Sequence, residues 1–92
     1  MDTSGHTVIF RYREDREMSG EDLAGYSRVL SLLVQEEVER LMDLGVRHIG
    51  YGLKRHGVCI ELQATDVPAE NIGLVRDIFR QIVQSTLQKP LP

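Results

Sequence analysis

The sequence predicts an α+β fold: a two-layer β-α-β-β-α domain, with a three-stranded antiparallel sheet covered by two helices on one face. Three observations carry this expectation. HTVIFRYR near the start alternates apolar and polar residues, two long stretches repeat apolar residues at threes and fours, and VRHIGYGLKRHGVCIELQA lies between those two stretches with the pattern of a β-hairpin. Ninety-two residues supply one modest core, so a single domain spanning 1–92 is expected.

The first strand covers His6 to Arg13. Val8, Phe10 and Tyr12 fall on one side and Thr7, Ile9, Arg11 and Arg13 on the other, the period of a half-buried strand. Ser19 followed three residues later by Asp22 resembles a capping box and predicts a helix from Gly20 to about Leu44. Leu23, Tyr26, Leu30, Leu33, Leu41 and Leu44 form its apolar stripe, which Val34 and Val38 widen. Glu21 and Asp22 suit its positive end, and Gly45 suits the position that terminates it. At ~1.5 Å per residue it runs roughly 36 Å, against ~27 Å for an eight-residue strand. An overhang is one consequence, with Val29, Leu32 and Val34 available for an oligomer contact; full coverage by the second helix is the other.

In the hairpin, Ile49, Tyr51 and Leu53 share one face, as do Val58, Ile60, Leu62 and Ala64. Directly opposed residues of an antiparallel pair point the same way, so Leu53 is expected opposite Val58 and Tyr51 opposite Ile60. A three-residue loop at Arg55-His56-Gly57 would instead set Lys54 opposite Val58 and turn one strand over. Misplacing three apolar side chains at ~1.5–3 kcal/mol each outweighs one turn preference. Thr65 to Pro68 reads as a turn into a second helix. Ile72, Val75, Phe79, Ile82 and Val83 face inward there, Leu74 and Ile78 lie at the margin, and Lys89-Pro90 ends it.

A right-handed crossover through the first helix puts the third strand between the other two. The resulting architecture resembles a ferredoxin-like split βαβ without its last strand.

Composition narrows the function. A net charge of −3 provides no overall attraction to nucleic acid or anionic membrane, and no apolar run approaches the roughly 20 residues of a membrane helix. The single cysteine and the absence of a signal peptide pattern fit a reducing cytoplasm. No metal or other cofactor is expected. His48 and Cys59 share the open face, but with Cys59 opposite Gly52 they stand roughly 13 Å apart at ~3.3 Å per residue, too far for one ion or a nucleophile-base pair. The acidic run Glu36, Glu37, Glu39 and Asp43 reads as a solvated helix face. Gly50, Gly52 and Gly57 do not form a phosphate loop.

What remains is the uncovered sheet face, with Ile9, Arg11, Arg13, His48, Gly50, Gly52, Lys54, Cys59 and Glu61, joined by Gln63. Glycine inside a strand weakens it and often marks close approach by another backbone or a ligand. The expectation is therefore a small non-enzymatic protein-binding module: a regulator, inhibitor or accessory subunit. It would use this face or the free edge of the first strand to bind another protein, itself included as a homo-oligomer. Single-stranded nucleic-acid binding is one alternative, disfavoured by the acidic balance and the inward placement of the aromatics. A small-ligand-sensing regulatory domain is the other, supported by Gly50, Gly52 and the turn near Thr65.

Overall fold

A computed structural model describes residues 5–15, 17–54 and 58–88. The elements run β1 (His6–Glu14), α1 (Gly20–Asp43), β2 (His48–Lys54), β3 (Val58–Val67), a 3₁₀ turn (Ala69–Asn71) and α2 (Ile72–Leu87). The sheet order is β1-β3-β2 with both neighbouring pairs antiparallel, as the sequence predicts. Two helices and this sheet make an α+β fold.

The central strand anchors the core. Val58, Ile60, Leu62 and Ala64 of β3 are fully buried, and alternate residues between them are half-exposed. Phe79, Val75 and Val83 of α2 and Leu30 and Leu41 of α1 close over them. Each full burial of a Val, Leu, Ile or Phe side chain contributes about 1.5–3 kcal/mol, so this one cluster supplies most of the favourable energy. α2 packs on β1 and β3, while the Tyr51 hydroxyl on β2 meets Ser31 Oγ of α1 at 3.0 Å.

Local chemistry sets the ends of α1. Ser19 Oγ accepts a hydrogen bond from the Asp22 backbone N–H at 3.0 Å, the expected N-cap. Met18, buried, and Leu23, packed against the core, occupy the two positions of a hydrophobic staple across that cap. At the other end Val46 N–H donates to Leu41 O and Gly45 N–H to Met42 O, with Gly45 at φ +94°. That is a Schellman ending, and its two apolar flanks, Leu41 and Val46, are both buried. Asn71 Nδ2 donates to Leu44 O at 2.7 Å and ties the start of α2 to the end of α1.

Four details depart from the expected layout. Leu53 lies opposite Ile60 and Tyr51 opposite Leu62, two residues along β3 from the partners anticipated. Side-chain direction has period two, so this shift keeps both apolar sets on one face, and alternation alone cannot detect it. Lys54 pairs with Cys59, so the inversion that a three-residue loop would impose is absent; Arg55-His56-Gly57 themselves lie outside the described residues. Second, β3 does not turn at Thr65 but continues to Val67 across a bulge, where exposed Asp66 adopts φ 60° and the β1 register shifts between His6 and Val8. Third, Ile78 is buried rather than marginal. Its helix meets α1 on one side and the sheet on another, which widens the covered stripe. Fourth, coverage of α1 is divided: Val34 is buried and Val29 half-buried, but Leu32 stays 54% exposed. α2 ends at Leu87 with Gln88 left-handed, and Lys89-Pro90 lie outside the described residues.

Candidate functional site

The helices cover one face of the sheet, and the other face is open. The observed register arranges its residues in rows across the three strands. Arg13, Cys59 and Lys54 form one row, and Arg11, Glu61 and Gly52 the next. Ile9, Gln63 and Gly50 form a third, and His48 lies beyond it opposite Thr65. Relative to the register expected from sequence, every β2 residue here stands two positions further along β3: Gly52 is opposite Glu61 rather than Cys59, Gly50 opposite Gln63 rather than Glu61, and His48 opposite Thr65 rather than Gln63.

Arg11 and Glu61 are the charged centre. Arg11 Nε lies 2.8 Å and its Nη2 2.5 Å from Glu61 Oε2, so two guanidinium nitrogens share one carboxylate oxygen. Both side chains remain well exposed, at 59% and 40%. The hydrogen bond to Glu61, followed by that carboxylate's negative charge, holds the Arg11 guanidinium above its ordinary pKa. An exposed pair contributes little to folding. Its effect is positional: the long Arg11 side chain is drawn inward across β3.

Beside the pair, Arg11, Gly52, Leu53, Cys59 and Glu61 line a shallow cleft of about 250 Å³. Its floor exists because residue 52 has no side chain. A Cβ built at Gly52 or Gly50 meets no heavy atom within 4 Å, and neither residue has a positive φ. Neither the turn chemistry nor the packing of this chain requires glycine there. Gly45 is the contrast, since a Cβ there would stand 2.8 Å from Pro68 Cγ at φ +94°.

Cys59 is a half-exposed free thiol in this cleft. His48, six positions along β3 from it in the observed pairing, stands roughly 20 Å away at ~3.3 Å per residue, further than the sequence spacing indicated. Among the described residues no three His, Cys, Asp or Glu side chains gather closely enough to hold a metal ion. Thr65, expected in a turn, is instead a β3 residue of this face opposite His48, and alternation from Cys59 through Gln63 points to it. Leu53 was assigned wholly to the core, yet it reaches the cleft rim from the edge strand. Ile9 is 45% exposed and is the one large apolar side chain among the described residues of the face. Phe10, Tyr12 and Tyr51 all belong to the helix side.

No family model, curated protein or solved structure matches this chain. No described helix is long and apolar enough to cross a membrane.

Proposed function

We propose that this chain is a small non-enzymatic protein-binding module, a regulator, inhibitor or accessory subunit, that engages another protein through the open face of its sheet. The observation that carries the proposal is the pair Gly50 and Gly52. Glycine in a strand interior costs roughly 0.5–1 kcal/mol relative to alanine, and here the space its Cβ would take is empty. A cost without an internal reason indicates that the space is kept clear for something outside the chain. A partner's backbone or side chain can settle on the floor at Gly50 and Gly52. Ile9 supplies an apolar contact there, and Arg11 and Glu61 supply a donor and an acceptor at fixed positions.

Protein fits this surface better than nucleic acid. Single-stranded recognition on a sheet uses exposed aromatic rings for stacking, and the Phe and Tyr side chains of β1 and β2 point to the helices. A cytoplasmic setting agrees with the free thiol of Cys59. The test is a pull-down from the native host with the wild-type chain and with Gly52→Lys, after circular dichroism shows that both are folded. A protein retained by the wild type and lost from the variant supports the proposal; equal retention, or none by either, overturns it.

A further inference from the structure

We infer that β2 is the docking edge of this surface: an extended segment of another protein, aromatic in its middle and acidic at both ends, adds beside β2 as a fourth strand. The inference rests on the protein-binding reading above and names where the partner's backbone lies and what chemistry it carries.

The two edges of the sheet differ in what guards them. Edge strands are ordinarily blunted by charges, proline, bulges or brevity. β1 carries Arg11, exposed Arg13 and Glu14, and its register is irregular between His6 and Val8. β2 pairs with β3 from His48 to Lys54 without a register shift, and among the described residues no other strand joins it. Its basic residues stand only at its two ends. The interior, Ile49-Gly50-Tyr51-Gly52-Leu53, has neither charge nor proline. Tyr51 donates its hydroxyl to Ser31 Oγ and is still 46% exposed, with Ile49 and Leu53 half-buried on either side. An uncharged apolar edge of this kind is a template for another chain.

A fourth strand accounts for both glycines. Its open-side residues stand next to Gly50 and Gly52, where a Cβ meets nothing within 4 Å. An aromatic ring laid across a strand glycine supplies the cross-strand contact that glycine lacks. The cleft at Gly52, Leu53 and Cys59 gives such a ring room to settle. On the helix side, an apolar residue of the added strand covers the exposed ring of Tyr51. The acidic ends follow from charge complementarity. From Leu44 to Ile60 the sequence has no acidic residue and includes Arg47, Lys54 and Arg55, in a chain whose net charge is −3. Arg47 and His48 stand at one end of β2 and Lys54 at the other, so a carboxylate at each end of the segment meets opposite charge. The same charges disfavour a second copy. Full antiparallel overlap about Tyr51 sets His48 against Lys54 and brings the Arg47 end of each strand to the Lys54 end of the other.

A display library of random linear peptides, selected on the immobilised full chain, supplies the probe. Enriched peptides are expected to carry alternating aromatic residues between acidic ends. The tightest of them is expected to slow amide hydrogen exchange within β2. It should bind roughly tenfold more weakly to the folded double variant Arg47→Glu, Lys54→Glu, and N-methylation of its central amides should abolish binding, since main-chain bonds carry strand addition. No enrichment, or enrichment of peptides without acidic ends, overturns the inference, as does unchanged binding of the N-methylated peptide. Protection in β1 instead of β2 moves the contact to the other edge and overturns it. Protection at neither edge, with binding lost in Gly52→Lys, overturns strand addition and leaves the open-face reading standing. Displacement of the peptide by an equal concentration of single-stranded RNA overturns protein as the occupant. Sedimentation equilibrium of the free chain is expected to give the 10.5 kDa monomer mass; twice that mass, with β2 protected, assigns the edge to a second copy and overturns the inference.

Discussion

Replacing Gly52 with threonine is expected to stabilise the isolated domain and to abolish partner binding. The backbone at 52 is ordinary strand without a positive φ, and a Cβ there meets nothing within 4 Å, so the new side chain introduces no clash. Removing strand glycine recovers roughly 0.5–1 kcal/mol, and a β-branched residue adds a further fraction on a scale spanning ~1 kcal/mol. Threonine also gains a cross-strand neighbour, since Glu61 lies directly opposite. The net expectation is about 1 kcal/mol, which for a domain of this size raises the melting temperature by about 4–8 °C. Urea denaturation followed by circular dichroism measures it, with the slope unchanged. A loss of stability would mean that the fold itself requires glycine at 52, and the inference that the space is reserved for a partner would fail. Gly50→Thr is expected to behave in the same way.

Other substitutions test the architecture. Phe79→Ala removes a fully buried ring from the middle of the core and is expected to cost about 3–5 kcal/mol, a large share of the stability of a small domain, read as a lowered midpoint of chemical denaturation. Ser19→Ala deletes the α1 cap and should cost about 1 kcal/mol, read from the denaturation midpoint. Gly45→Ala is expected to lose at least about 1–2 kcal/mol, because φ +94° disfavours a side chain and Pro68 occupies its space. Asn71→Ala removes the 2.7 Å bond to Leu44 O, with an expected loss near 1 kcal/mol and faster amide exchange around the α1–β2 junction.

The elements were legible in the sequence because their signals are local. Ser19 and Gly45 bracket α1 through a cap and a left-handed ending, and both act within a few residues of themselves. Alternation in β1, β2 and β3 identified the face of each side chain, so the open surface could be drawn before the structure was known. Alternation could not choose between registers two residues apart. That choice depends on the connection between Lys54 and Val58 and on how Leu53 and Tyr51 settle against β3, which are matters of tertiary packing. For the same reason Glu61, rather than Cys59, proved to be the neighbour of Gly52. The bulge at Asp66 was equally hidden, since aspartate before Val-Pro reads as a turn while the strand in fact continues through it. The Arg11–Glu61 pair joins residues fifty positions apart and needed the β1–β3 register to be seen.

The open face as a contact surface is tested most directly by site-specific photo-crosslinking in the native host. A photoreactive amino acid at His48, on the rim of the face, is compared with the same group at Glu39 on the exposed side of α1. A cross-linked protein product from position 48 and none from position 39 is the expected result. Equal labelling at both positions, or none at 48, would contradict a role for this face in binding.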